Sequence, residues 1–126
     1  YTTPYPITVN EELSIDELSR LMQTHDVRHL PVMREGVVVG VISDRDLRLA
    51  SGLSAQHKIQ ISAGDLMTTD PITVRVDTPL DEVAIEMADR KIGSVIVIDE
   101  DGELFGIFTL TDALDALIEI SGRDDD

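Results

Sequence analysis

The sequence contains no cysteine and no tryptophan, and it has only two phenylalanines and two tyrosines. Without cysteine, disulfides and thiolate metal sites are excluded, which fits a cytoplasmic protein. No apolar run approaches the ~20 residues that cross a bilayer, so we expect no membrane insertion. The chain has 10 Lys and Arg against 25 Asp and Glu, and its net charge of −15 disfavours nucleic acid as a partner.

An internal repeat organises the sequence. Pro6-Ile7-Thr8-Val9 returns as Pro71-Ile72-Thr73-Val74, an offset of 65 residues (6 to 71). One inserted residue near Asp101 changes the offset to 66, which pairs Asp46 with Asp112. Self-similarity of this length indicates a tandem duplication.

The repeat predicts two domains of unequal charge. Residues 1–62 form the first unit with its connector, and they carry six Lys and Arg against eight Asp and Glu, a balance of −2. Residues 63–126 form the second unit with an acidic C-terminal tail, and they carry four against seventeen, a balance of −13. Each unit is too small to bury a sheet alone, so we expect the two to depend on each other.

Each repeat has the pattern of a β-α-β-β-α unit, which predicts an α/β (α+β) fold class. Helices are predicted to start at Ser14, with Glu17 in a capping box, and at Thr78, with Pro79 in the first turn. Continuous β-branched runs separated by Gly-containing turns predict paired strands. The extended segments are predicted at residues 7–9, 30–33, 37–42, 72–75, 95–98 and 104–108. A polar connection is expected at residues 53–62, and a short helical turn at residues 63–67.

One seven-residue pattern occurs in both repeats, as residues 40–46 and 106–112. Its elements are Gly, two apolar residues, a hydroxyl residue, two variable residues and Asp. The glycine permits close approach to the backbone, and Ser43 or Thr109 stands where a helix N-cap belongs. Asp46 or Asp112, one turn later, could accept hydrogen bonds from both hydroxyls of a ribose. The septet therefore fits a nucleotide clamp, but hydroxyl-x-x-Asp is also an ordinary capping box.

The tandem units with a septet at each last helix resemble the CBS domain pair, or Bateman module. Asp65-Leu66-Met67-Thr68 and Arg28-His29-Leu30-Pro31-Val32 add to the resemblance. It implies two units packed about a pseudo-two-fold axis, with adenosine-containing ligands bound in clefts between them. The expected ligands are AMP, ADP or ATP, and next S-adenosylmethionine, with no obligatory cofactor. The alternative is a purely structural dimerisation module that binds no nucleotide.

The resemblance also implies roles for individual residues. Asp46 and Asp112 would hold the ribose, Ser43 and Thr109 would contact ribose or phosphate, and Val41 and Ile107 would line the adenine pocket. The other candidates are the septet residues Arg45 and Thr111 and two triplets at strand starts. Val27, Arg28 and His29 would face the Asp112 cleft, and Ile92, Gly93 and Ser94 would face the Asp46 cleft. On this assignment the Asp112 cleft would take the more highly phosphorylated ligand.

We expect neither catalysis nor a resident metal. The sequence has no P-loop and no credible nucleophile–base set. The acidic turn at residues 99–102 is not a calcium loop, because Val97 would then stand at the first ligand position. The module is expected to regulate an unknown protein and to form a homodimer. Three apolar residues are candidates for the dimer contact or for the core: Leu114, Leu117 and Ile118.

Overall fold

The described residues form two four-stranded β-sheets with helices packed against them, which confirms the expected mixed α/β class. The computed structural model describes residues 2–4, 6–52 and 61–124. The chain divides into two compact units. The N-terminal unit comprises Pro6–Pro71, and the C-terminal unit comprises Tyr1–Tyr5 with Ile72–Asp126. No helix in the described ranges is both long and apolar enough to cross a membrane.

The N-terminal unit follows the predicted order of elements. They are β2 (Val9–Asn10), α1 (Ile15–His25), β3 (His29–Arg34), β4 (Val37–Ser43), α2 (Asp44–Ala50), α3 (Ala63–Leu66) and β5 (Thr68–Thr69). The sheet order is β2-β3-β4-β5, with β2 parallel to β3 and the other pairs antiparallel. Glu35 and Gly36 turn the β3–β4 hairpin with φ of 50° and 81°, and a tight hairpin favours such positive values.

The C-terminal unit repeats this topology. Its elements are β1 (Thr3–Pro4), β6 (Thr73–Arg75), α4 (Leu80–Arg90), β7 (Ser94–Ile98), β8 (Leu104–Thr109) and α5 (Leu110–Asp124). The sheet order is β1-β8-β7-β6, again with one parallel pair, β6–β7, and two antiparallel pairs. The duplication found in the sequence is thus visible as two sheets with the same strand order.

The edge strands place the unit boundary differently from the sequence repeat. β5 pairs with Gly40 and Val41 of β4, so the segment that opens the second repeat belongs to the first sheet. The Ala63 and Gly64 amides also donate to the carbonyls of residues 13 and 11, each at 2.9 Å. β1 correspondingly pairs with β8. The predicted division at residue 62 therefore does not coincide with the structural one, because backbone pairing groups residues 63–71 with the N-terminal unit.

Most local predictions hold, and two need correction. Ser14 caps α1 as expected, accepting from the Glu17 amide at 3.2 Å. Thr78 does not cap α4, whose N-cap is Pro79; the Thr78 hydroxyl instead accepts from the Arg75 amide at 3.0 Å. The first extended segment was predicted at residues 7–9. The structure has instead the shorter, later strand β2 (Val9–Asn10). The predicted helical turn is α3, whereas residues 53–60 of the predicted connection lie outside the described ranges.

Each unit has its own core of residues from one sheet face and the helices that cover it. In the N-terminal unit Leu18, Leu30 and Val32 are fully buried. Burying such side chains contributes about 1.5–3 kcal/mol each. The buried cluster of the C-terminal unit is Val83, Met87, Val95, Val97 and Phe108. The cores use the expected β-branched strand residues, together with Met22 of α1 and Met87 of α4.

An ion pair joins the start and the middle of the N-terminal unit. The Arg34 guanidinium donates to both carboxylate oxygens of Glu11, whose backbone carbonyl accepts from the Gly64 amide at 2.9 Å. The hydrogen bonds from Arg34 lower the pKa of Glu11; burial opposes this shift and the charge of Arg34 adds to it.

We expect Glu11→Gln to lower the melting temperature slightly at pH 7 and by less at pH 3. Because the folded-state pKa of Glu11 is depressed, the ion pair stabilises the fold above the unfolded-state pKa of about 4.3. That contribution is lost as the pH falls through the folded-state pKa. Thermal unfolding of both proteins at the two pH values is the measurement, with Glu12→Gln as the neighbouring control. An equal deficit at both pH values would contradict the prediction.

Candidate functional site

The first septet runs from the end of β4 into α2. Ser43 is the N-cap, and its Oγ accepts from the Asp46 amide at 3.2 Å. The Ser43 amide donates in return to Asp46 Oδ2 at 2.9 Å. Both side chains are partly buried. The septet thus forms the complete capping box that its sequence predicts.

The second septet forms the same junction between β8 and α5. The Thr109 amide donates to Asp112 Oδ2 at 2.8 Å, and the Asp112 amide donates to Thr109 Oγ1 at 3.3 Å. The Thr109 hydroxyl also donates to Asp112 Oδ2, at 3.1 Å. Within the described ranges, the Ser43 hydroxyl of the first septet makes no corresponding donation to Asp46.

The capping boxes use only one oxygen of each aspartate. In both septets the backbone amide of the hydroxyl residue donates to Oδ2. Oδ1 of Asp46 and of Asp112 has no hydrogen-bond partner among the residues that the structure describes. An ionised carboxylate oxygen without a partner can still accept from a ligand hydroxyl. Helix capping and ribose binding are therefore compatible functions of the same side chain.

A third Ser-x-x-Asp box in the chain shows what capping alone looks like. The Ser62 amide donates to Asp65 Oδ2 at 3.0 Å, and the Ser62 hydroxyl donates to the same oxygen at 3.2 Å. Asp65 is exposed, and α3 is only four residues long. A bond from the backbone amide of the hydroxyl residue to the aspartate Oδ2 is thus not specific to the septets. The septets differ from this box in position, because each septet lies at the end of a central strand of its sheet.

Each triplet at a strand start lies beside the septet of its own unit. Antiparallel pairing of β3 with β4 sets His29 opposite Ser43, and the Asp44 amide donates to the Arg28 carbonyl at 2.9 Å. Pairing of β7 with β8 does the same in the C-terminal unit. There Ser94 is opposite Thr109, and the Leu110 amide donates to the Gly93 carbonyl at 2.9 Å. The cross-unit assignment of these triplets stays a prediction.

The remaining candidates fall into three environments. Val27 and Ile92 are partly buried against the core of their own unit. Arg45 and Thr111 are exposed on the first turns of α2 and α5. Val41 and Ile107 are buried, at 8% and 4% exposure.

Val41 and Ile107 belong to neither helix-packed core cluster. Their strand neighbours Ile42 and Phe108 do belong to these clusters, so alternation turns Val41 and Ile107 to the other sheet face. Both are therefore buried on the side of their sheets that faces away from the helices.

Gly40 accommodates a neighbour that the sequence did not identify. A Cβ at this position would lie 2.5 Å from Sδ, 2.7 Å from Cγ and 2.9 Å from Cβ of Met67. The Met67 side chain, just before β5, thus packs directly on the backbone of β4. The first septet needs its glycine for this internal contact. The only sequence signal was the position of Met67 ahead of a strand-like segment.

An apolar cavity lies near the second septet. It has a volume of about 480 Å³, between α4 and α5, and it includes the candidates Ile92 and Gly93 but not Asp112. The other lining residues are Ala84, Met87, Ala88, Lys91, Leu110 and Ala113. Within the described ranges, no group of three or more His, Cys, Asp or Glu side chains could hold a metal ion. Asp99 Oδ1 accepts from the Asp101 and Glu103 amides at 2.9 and 3.0 Å, which orders the acidic turn.

Two sheets of identical strand order, each ending in a capped septet, define a tandem α/β module. The chain belongs to the CBS domain family, which matches residues 1–52 and 63–119. Among curated proteins it is similar to the L-aspartate semialdehyde sulfurtransferase of Methanocaldococcus jannaschii. The identity is 37% over 108 residues, which cover 85% of this chain but only 20% of the relative. The chain thus spans about a fifth of the length of that enzyme.

Two solved structures that are similar to this chain contain adenosine compounds. CBSX2 of Arabidopsis thaliana in complex with AMP superposes with a TM-score of 0.80 and 32% identity, over 96% of this chain and 95% of that one. The CBS domain pair of protein MJ0100, in complex with 5′-methylthioadenosine and S-adenosyl-L-methionine, superposes with a TM-score of 0.79 and 30% identity. That match covers 97% of this chain and 93% of the other. The tandem CBS pair predicted from the sequence is confirmed.

Proposed function

We propose that this chain is a non-catalytic regulatory module that binds adenosine-containing ligands at its two septets. The observation that carries the proposal is the second oxygen, Oδ1, of Asp46 and of Asp112. Each cap occupies Oδ2, and no described residue uses Oδ1. A ribose offers two adjacent hydroxyl donors, and hydrogen bonds to a charged acceptor contribute about 1.5–3 kcal/mol. A cap that holds the carboxylate rigid lowers the entropic cost of binding.

The other septet residues supply the remaining contacts in this proposal. Val41 and Ile107 provide buried apolar surface on the face of each sheet away from its helices, which suits an adenine ring. Ser43 and Thr109 provide hydroxyls at the ribose or phosphate. The ligands in the two related structures, AMP in one and 5′-methylthioadenosine with S-adenosylmethionine in the other, support this ligand class. The candidates for this chain are AMP, ADP and ATP, followed by S-adenosylmethionine.

A thermal-shift panel of AMP, ADP, ATP, S-adenosylmethionine and GTP tests the proposal. Ligand at a hundred times its dissociation constant adds about 2.7 kcal/mol to the free energy of unfolding. For a domain of this size, we expect the melting temperature to rise by about ten degrees with at least one adenosine compound. GTP is the control for the base. If no adenosine compound shifts the transition, the nucleotide proposal fails.

A structural dimerisation module is the second candidate, because α5 exposes an apolar face. Leu114, Leu117 and Ile118 are 52%, 59% and 68% exposed, which makes them available to a second copy rather than to the core. A contiguous apolar stripe on a helix commonly marks an interaction surface. On this reading the septets serve only as helix caps. The two functions are separable, because dimer formation leaves both Oδ1 atoms unused.

A further inference from the structure

We propose that the two septet sites take ligands of different charge. The Asp46 site takes an adenosine polyphosphate, and the Asp112 site takes an adenosine compound without phosphate. This inference rests on the proposed function and adds the ligand class of each site. It rests on a comparison of the side chains that occupy structurally equivalent positions around the two septets.

The hydrogen bonds of the backbone establish which positions correspond. The Asp44 amide donates to the Arg28 carbonyl at 2.9 Å, and the Leu110 amide donates to the Gly93 carbonyl at 2.9 Å. His29 and Ser94 likewise face the hydroxyl residue of the septet in their own sheet. Residues around one septet can therefore be compared with residues around the other, position by position.

Every basic residue around the first septet has a neutral counterpart around the second. Arg28 corresponds to Gly93, and His29 to Ser94. On the last helices, Arg45 corresponds to Thr111 and Arg48 to Leu114. Residues 27–29 with 43–49 contain three Arg against two Asp, a balance of +1. Residues 92–94 with 109–115 contain no Lys or Arg against two Asp, a balance of −2.

Two of these arginines are available to a ligand. Arg28 and Arg45 are exposed and have no carboxylate partner among the described residues, whereas Arg48 lies 3.8 Å from Asp44. A polyphosphate needs such cations, because a guanidinium can donate two parallel hydrogen bonds to phosphate oxygens. One exposed cation, Lys91, directly precedes the second triplet, and it also borders the apolar cavity between α4 and α5.

The hydroxyl residues differ in the same direction. Thr109 donates its proton to Asp112 Oδ2 at 3.1 Å, so that proton is already engaged. Ser43 has no such donation within the described ranges, which leaves its proton for a phosphate oxygen. Both differences favour phosphate at the Asp46 site. The sequence-based expectation assigned the more phosphorylated ligand to Asp112, because it placed Arg28 and His29 there. Here these residues are instead paired with the septet of their own sheet, so the two assignments predict opposite sites for ATP.

Calorimetry with ATP and with 5′-methylthioadenosine tests the inference on the whole chain. Asp112→Asn isolates the first site, and Asp46→Asn isolates the second. We expect Asp112→Asn to bind ATP with an affinity that weakens from 50 to 300 mM salt, since exposed charges are screened. Asp46→Asn should bind 5′-methylthioadenosine with little salt dependence and should bind ATP at least tenfold more weakly than Asp112→Asn does.

Arginine variants identify the cause. In the Asp112→Asn background, Arg28→Ala and Arg45→Ala should each weaken ATP binding by about tenfold. In the Asp46→Asn background, the same two substitutions should leave 5′-methylthioadenosine binding unchanged. Arg75→Ala, on β6 of the other unit, is the matched control and should change neither. The inference would be overturned if ATP bound Asp46→Asn more tightly than Asp112→Asn, or bound both equally. It would also be overturned if Lys91→Ala, rather than the arginine variants, abolished ATP binding. If neither compound binds the wild-type chain, the proposed function itself fails.

Discussion

Replacing Asp46 or Asp112 by Asn is expected to lower the affinity of that septet for an adenosine ligand by about 10- to 100-fold. The change removes the charged acceptor at Oδ1 but retains an oxygen that can accept the capping bond. A lost hydrogen bond to a charged group costs about 1.5–3 kcal/mol. Calorimetry of each single variant, with a ligand that the thermal-shift panel identifies, measures the loss site by site.

The capping box at residue 65 supplies the matched control. Asp65→Asn alters the same kind of cap, in which the Ser62 amide donates to Oδ2 at 3.0 Å, outside both septets. It should leave ligand affinity unchanged. A 2′-deoxy ligand should bind the wild type more weakly, and this penalty should shrink in the Asn variants because the partner of the missing hydroxyl is already altered. Unchanged ligand affinity in both septet variants would show that the septet aspartates serve only as helix caps.

The second large effect is expected at Gly40. Its Ala variant forces a Cβ to within 2.5–2.9 Å of three Met67 side-chain atoms, so Met67 must leave its position on β4. Overpacking of this kind costs about 1–3 kcal/mol. We expect a melting temperature that falls by roughly 5–15 °C, from the entropy of unfolding of a domain of this size.

A double-mutant cycle identifies Met67 as the cause. In a Met67→Ala background, Gly40→Ala should cost clearly less than it does in the wild type, since the clashing Sδ and Cγ atoms are gone. Gly52→Ala is the control, because among the described residues a Cβ there meets only the Leu49 carbonyl, at an ordinary 3.6 Å. The same penalty in both backgrounds would show that another neighbour, or the ligand site, requires the glycine.

Local patterns in the sequence predicted the fold well. The repeat indicated two similar units, the β-branched runs marked the strands, and the hydroxyl-x-x-acid spacing identified the caps at Ser14, Ser43 and Thr109. These signals lie within a few residues of the groups that they order, so they can be read without tertiary information. Thr78 shows the limit of such reasoning. A hydroxyl before a helix is not a cap when the backbone turns so that it accepts from Arg75 instead.

Patterns in the sequence were enough to establish the duplication, the mixed α/β class, the two septets and the acidity of the second half. Which residues these elements contact depends on how the sheets pair and pack. Strand pairing exchanged the edge segments, set Arg28 and His29 beside their own septet and placed Met67 over Gly40. Such contacts join residues far apart in the chain. They depend on the packing of whole sheets, which no local spacing encodes.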